Sequence, residues 1–449
     1  MTNVRWVLIF WMFLVSAIGY LDRVNISIAG GSIAQEFHLS NIQLGAVFSA
    51  FVLGYALFQA PAGAVADRFG PRTVLALGVV WWGIFTAAIT FISPSAAGLL
   101  FLLVAVRFCL GMGEAVIYPA SNCIVANWIP SAERGVANGI IFAGVGFGAG
   151  VTSPLIAYLL VHYGWRSSFW VSAAAGFAAG LVWYFVARDT PEQHPRVSSR
   201  ELEFIRVGLP QAQPGAQGNK LGWRAILSNR DVLALTFSYF VYGYAAYIFF
   251  SWFFIYLSTV RGLNLRQSSY YTMLPFIAMA ICSPLGGWIS DRVTQQRGQR
   301  VGRCGVAGIA MVLCAIFIGI GSQVQSVGVA TVVLAGGAGA LYLSQSSFWS
   351  VSADIGKKSA GSVSGFMNMG GQLGGALTAS LTPAIAGRYG WTVSFLTAAC
   401  LCVTGALAWM AILPEEDRAS ENSGYQAPAS DVLRPEHPRS AIYNPKTRS

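Results

Sequence analysis

GAVADRFGPR, residues 63–72, closes an apolar run, and its core returns in degenerate form as GWISDRVT at 287–294, 224 positions later. Two other pairs keep nearly the same spacing. RGVANG (134–139) recurs as AGSVSG (360–365) and YGWRSSF (163–169) as YGWTVSF (389–395), both at an offset of 226. Gly135 thereby aligns with Gly361 and Gly139 with Gly365. Three matches at almost one spacing predict a duplicated chain: a first half over 1–187, a polar central loop over 188–230, and a second half over 231–413. The remainder, 414–449, is rich in Glu, Ser, Pro and Arg and is expected to be a disordered tail.

What surrounds the repeats sets the solvent. The 449 residues are 55% hydrophobic and 10% charged, with a mean hydropathy of +0.57, whereas soluble domains carry about 25% charge. A helical crossing takes about 20 mostly apolar residues. Between charged or Pro/Gly-rich breaks there are twelve such stretches: 6–32, 41–65, 73–93, 97–122, 135–160, 167–187, 232–258, 268–290, 304–322, 326–350, 361–386 and 391–413. An all-α membrane protein with twelve transmembrane helices in two six-helix pseudo-repeats follows, because in lipid each backbone polar group must be satisfied within its own segment. The 50 glycines suit close helix approach. The first stretch is too long for a cleavable signal peptide and lacks its small-residue site.

Charge orients the bundle. Arg166, Arg261, Arg266 and Arg388 fall on one side and Arg23 and Arg107 within helices, while every other Lys and Arg falls on the opposite side. By the positive-inside rule that side is cytoplasmic, with both termini. The net charge of +10 is thus topological and points to the bilayer, not to nucleic acid. Seven cysteines sit inside predicted helices with no CxxC spacing, which marks them as small core residues. No enzymatic activity, cofactor or metal is expected, and the chain is expected to act as a monomer in the plasma (bacterial inner) membrane. None of the four lysines stands in G-x-x-x-x-G-K-[ST], which excludes an ATP-driven pump.

Only four formal charges lie within the predicted helices: Asp22, Arg23, Arg107 and Glu114, summing to zero. Charge at membrane depth is costly and marks function or pairing. Arg107 and Glu114 are two helical turns apart and share a face. Asp22 and Arg23 diverge by about 100°, so at least one can reach a helix-4 partner. A buried ion pair often stabilises no better than an apolar replacement, which favours a mechanistic use. An arginine fork matches a carboxylate bidentately. A buried carboxylate beside arginine is poised to exchange a proton.

G-x-x-x-D-R-x-G-x-R over Gly63–Arg72 resembles the signature loop of the major facilitator superfamily. Within it, residues 107–135, RFCLGMGEAVIYPASNCIVANWIPSAERG, resemble the anion:cation symporter family through R-F-x-L-G-x-G-E-A, Y-P-A and W-x-P-x-x-E-R-G. GYLDR-x-N at 19–25 fits the same family, and the resemblance spans about residues 5–413. That family includes bacterial carriers of hexuronates, glucarate, galactonate and tartrate, with sialin and vesicular glutamate transporters. It implies alternating access around a midplane site between the halves. It also implies gating by Gly63, Asp67, Arg68 and Arg72 with the second copy's Asp291 and Arg292, proton coupling at Asp22 and Glu114, and substrate contact at Arg23.

Arg107, Tyr20, Tyr55, Tyr244, Ser346, Trp349, Asn368 and Gln372 complete the expected substrate site. Each hydroxyl taken singly is as readily helix packing. Helix 7 has no arginine, which disfavours a glutamate-like substrate. The expected function is proton-coupled import of a small organic anion, a sugar acid such as a hexuronate, aldonate or aldarate. The rival readings are a drug/proton antiporter, disfavoured because GFGAGVTSP (146–154) has no Gly-Pro pair, and a non-transporting sensor on the same scaffold.

Overall fold

The computed structural model describes residues 2–209 and 221–413. The expected tail and part of the central loop lie outside the described residues. Among those described, all regular structure is helical. The first half contains α1 (Val4–Glu36), α2 (Asn41–Phe69), α3 (Pro71–Ala88), α4 (Leu99–Trp128), α5 (Arg134–Tyr163) and α6 (Trp165–Val186). The second contains α7 (Arg230–Val260), α8 (Leu265–Gln299), α9 (Val306–Gly321), α10 (Val327–Gly356), α11 (Ala360–Tyr389) and α12 (Trp391–Met410). Among the described residues, ten apolar stretches are long enough to cross a membrane, and two of them, Tyr270–Gly321 and Val327–Tyr389, each hold two of these helices. Twelve crossings result.

Local chemistry sets the boundaries. Ser40 and Gln43 form a reciprocal capping box that opens α2. Gly70 (φ +90°) turns the chain and Pro71 starts α3, where its missing N–H costs nothing. The repeated YGW sequence has a structural counterpart. Gly164 (φ +76°) and Gly390 (φ +88°) make the same left-handed turn ahead of Trp165 and Trp391, opening α6 and α12.

Several helices outrun the hydropathy reading. Helix 4 continues to Trp128, because Asn122 and Asn127 find partners inside the protein and so do not end it. It is interrupted after Glu114 and resumes at Ile117. Pro119 lacks the N–H that would bond the Ala115 carbonyl, which accounts for the break. Helix 8 runs on to Gln299 as a polar extension, with a kink at Gly298 (φ +82°). Beyond Tyr247, α7 widens into underwound π turns at Ile248–Trp252 and Tyr256–Val260, a distortion frequent at functional sites.

Large apolar side chains such as Phe91, Phe101, Val161 and Met410 face outward, while Asp22, Arg107 and Glu114 are buried. That is the inverse of a soluble protein. The halves meet along two seams, α2 against α11 and α5 against α8. A Cβ on Gly63 would collide with the Gly361 carbonyl, and one on Gly287 with the Gly135 carbonyl. Gly139 and Gly365 stand equally close to the backbones of Ser283–Pro284 and Gln59–Ala60. The first two sequence repeats therefore lie against the other half at corresponding positions.

Candidate functional site

A central cavity opens between the halves, with Tyr20, Arg23 and Tyr55 on one wall and Tyr239, Gln345 and Gln372 among the residues opposite. Arg23 is one turn past Tyr20 on α1. Its Nε donates to Glu114 Oε2 at 2.7 Å. Its guanidinium carbon lies 4.0 Å from the centre of the Tyr55 ring and 5.0 Å from that of Tyr20, within cation–π range. Among the described residues, Arg23 is the only cation on the cavity wall. Glu114 stands at the break in α4, fully buried, and its second oxygen, Oε1, has no hydrogen-bond partner.

Asp22 points the other way. Thr86 of α3 donates to its Oδ2 at 3.0 Å, and Oδ1 is buried without a partner. Arg107 lies over the Phe51 ring at 4.7 Å, with Nε and Nη1 unpaired. The four charges thus divide into a pair at the cavity, Arg23–Glu114, and two groups behind its wall, Asp22 and Arg107.

The other expected substrate residues divide similarly. Asn368 and Gln372 line the cavity, Asn368 donating to Gln59 at 2.8 Å and Gln372 Oε1 accepting from Tyr247 at 2.6 Å. Ser346 turns away to the Ser283 carbonyl (3.0 Å), Trp349 donates to the Tyr239 hydroxyl (3.2 Å), and Tyr244 packs off the wall, where the Tyr244 carbonyl accepts from Thr378. The cavity also recruits Tyr118, Tyr239, Tyr342 and Gln345, which sequence reasoning missed. Tyr118 stood in the Y-P-A motif of helix 4, whereas Tyr239 and Tyr342 carried only an aromatic excess on helices 7 and 10 that buried packing explains equally well.

At the basic end two carboxylates cross between the halves. Asp67, at the end of α2, accepts from the backbone N–H groups of Gly361 (2.9 Å) and Ser362 (2.7 Å) and from the Ser362 hydroxyl (2.6 Å), all at the start of α11. Asp291 of α8 accepts from the N–H groups of Gly135 (2.9 Å) and Val136 (2.7 Å) at the start of α5. Each carboxylate thus sits on the positive end of a helix in the opposite half. Arg303 joins Asp291 at 2.6 Å and donates to the Ser131 carbonyl at 2.7 Å. An ion pair between Arg134 and Asp354, with Asn122–Ser352 at 3.0 Å, adds further cross-half contacts.

The basic end is therefore closed. Arg68, Arg72 and Arg292 bind within their own halves, over Phe69, Tyr184 and Trp288 respectively. Sequence reasoning did not single out Arg134, Arg303 or Asp354, although Arg134 heads a repeated motif.

The chain matches the description Major Facilitator Superfamily over residues 12–379 and again over 298–446. It is 33% identical to a Cupriavidus necator protein named "Probable sulfoacetate transporter SauU", over 90% of this chain and 92% of that one. It is 30% identical to the hexuronate transporter of Bacillus subtilis, over 89% and 92% of the two chains. Among solved structures it resembles the proton:xylose symporter XylE, with a TM-score of 0.71 over 90% of this chain and 96% of that one, at 17% identity.

Proposed function

Because the chain belongs to the major facilitator superfamily of membrane transporters, and within it resembles carriers of organic anions, we propose that it imports a small sugar acid together with protons. A hexuronate, aldonate or aldarate is the expected cargo. One observation carries the reading: Arg23, the sole cation on the cavity wall among the described residues, is held by a buried carboxylate with an oxygen to spare. A proton arriving on Glu114 Oε1 loosens its grip on the guanidinium, which then takes the substrate carboxylate bidentately. Asp22, with its own unpartnered Oδ1 and with Arg107 nearby, is the second proton site.

The positive-inside rule supports a cytoplasmic basic end, with both termini on that side. Closure of that end by Asp67 and Asp291 leaves the cavity to load from outside. Release follows when the halves, each moving as a six-helix unit about the site, part at the two latches. The cavity lies within one chain, so a monomer suffices. A monoanion carried with one proton is electroneutral. With a second proton the cycle moves one positive charge inward, and the membrane potential adds about 2.3 kcal/mol per 100 mV.

The test is uptake by the full chain in proteoliposomes of D-glucuronate, D-gluconate and galactarate under an inward proton gradient. Accumulation above the external concentration, abolished by a protonophore, is the expected result. Indifference to the gradient, or a preference for uncharged sugars or lipophilic cations, overturns the reading.

A further inference from the structure

Two arginines share one aromatic ring. The centre of the Phe51 ring on α2 lies 5.5 Å from the Arg23 guanidinium carbon and 4.7 Å from that of Arg107, both within cation–π range. The two carbons therefore stand at most 10.2 Å apart, the sum of those distances. Arg23 and Tyr55 are on the cavity wall, and Phe51, one turn from Tyr55, stacks on its ring at 6.0 Å and 17°. Phe51 is itself buried behind that wall. The order from the cavity is thus Arg23 with Tyr55, then the Phe51 ring, then Arg107.

The ring is held in that place. A Cβ on Gly111 of α4 would collide with the Phe51 carbonyl, and one on Gly54 with the Phe108 carbonyl, so α2 and α4 lie backbone against backbone beside it. Behind the ring, Arg107 is buried with Nε and Nη1 lacking a hydrogen-bond partner. Helix α4 runs toward the basic end, so Arg107 lies about 10 Å farther from the latches than Glu114, on the side from which the cavity loads. A cation with donors to spare therefore stands close to Arg23 and is kept out of the cavity by one side chain. Packing alone would be met by any apolar residue; a ring shared by two guanidinium groups does more.

We infer that Phe51 is a specificity-determining residue: it screens Arg107 from the cavity and so restricts the site to cargo with one carboxylate. A second carboxylate, reaching past Arg23 toward the loading side, meets the apolar ring in place of a cation, and burying an unpaired charge is costly. The cargo is then a hexuronate or aldonate and not an aldarate. The same screen reserves Arg107 as the counter-charge of Asp22, since no cargo carboxylate reaches it. This inference rests on the anion-import reading above and narrows it.

The experiment measures binding of D-glucuronate and galactarate to the purified full chain by quenching of intrinsic tryptophan fluorescence. The wild type is expected to bind D-glucuronate at least about tenfold more tightly, the effect of one hydrogen bond to a charged group. Phe51→Ala removes the ring and is expected to tighten galactarate at least about tenfold, as Arg107 gains access to it, while leaving D-glucuronate nearly unchanged. Adding Arg107→Gln to Phe51→Ala should abolish the gain. A folding defect does not produce a gain confined to the diacid. Phe51→Val also removes the ring but keeps more of the packing; it is expected to show the same Arg107-dependent gain and carries the test if Phe51→Ala does not fold.

Tighter wild-type binding of galactarate, no gain in the folded Phe51 variants, or a gain that survives Arg107→Gln overturns the inference. Acid binding that is still abolished by Arg23→Gln then leaves the transport reading standing. If neither acid binds in an Arg23-dependent way, the transport reading falls and this inference falls with it.

Discussion

Replacing Asp67 by Asn removes one charge and one acceptor from the latch between α2 and α11. In the wild type Oδ1 serves the Gly361 N–H while Oδ2 serves the Ser362 N–H and hydroxyl. An asparagine can supply only one oxygen, so its amide nitrogen must face a backbone donor. Leaving a buried N–H unpaired costs about 1–3 kcal/mol, and the lost charge on the helix terminus adds about 0.3–1 kcal/mol. The closed basic end should therefore lose roughly 2–3 kcal/mol, which corresponds to a shift on the order of 30–150-fold toward opening.

Cys123 provides a native reporter, since its buried thiol donates to Asp67 at 3.2 Å behind the latch. With the other six cysteines replaced, its alkylation rate in Asp67→Asn should rise by at least tenfold. Turnover should slow because the return to the outward-loading state becomes rarer. Substrate affinity should barely change, the cavity being untouched. Wild-type alkylation and turnover in the variant would refute the latch, and a large loss of affinity with normal turnover would move Asp67 into the site instead.

Further expectations concern the charges. Arg23→Lys should raise the apparent KM for a sugar acid by more than tenfold, because an ammonium does not reproduce the guanidinium fork; an unchanged KM in uptake assays would remove Arg23 from substrate contact. Glu114→Gln and Asp22→Asn should each abolish accumulation against a gradient yet permit substrate exchange, which counterflow measurements separate. Wild-type accumulation in either variant would strip that residue of a coupling role. At the C-terminal end of α1, hydrogen bonds from Arg166 (2.6 Å) and Trp165 (2.7 Å) hold the Glu36 carboxyl below the usual range. A lowered folded-state value means that the contribution is present above the unfolded value and is lost as pH falls through the folded one. The pair is about one-third exposed, so Glu36→Gln should cost less than about 1 kcal/mol. The resulting drop in melting temperature near neutral pH should vanish in acid, and a drop independent of pH would contradict it.

Much of the fold was legible because lipid imposes a coarse rule. Twelve apolar stretches each became a crossing, and the three repeats fell at corresponding places in the two halves. The errors lie where a polar residue is satisfied inside the protein, as Asn122 and Asn127 are, since hydropathy then ends a helix too early. The charged pair was half legible. A 100° divergence between neighbours on α1 requires Asp22 and Arg23 to face different partners, but spacing does not say which reaches Glu114. The second half of the cavity was the least legible. Serine and tyrosine on an apolar helix look alike whether they bond their own helix or face a substrate, and Ser346 and Tyr239 come out oppositely for that reason.

The duplicated motifs gain meaning only when the halves are set together. Asp67 of the first copy bonds Gly361–Ser362, and Asp291 of the second bonds Gly135–Val136, so each repeat supplies the carboxylate for one latch and the helix start for the other. The glycines are bound into the same logic, because Gly63 and Gly287 admit the opposing backbones closely enough for a short aspartate to reach two N–H groups. A larger side chain at either glycine would hold the seam apart and disarm the carboxylate four residues on. Two such contacts at one end of the bundle form a pair of parallel bonds that must break together if the halves rotate as units. Closing that end is therefore expected to be cooperative, since forming the first latch would bring the second helix start into register with its carboxylate.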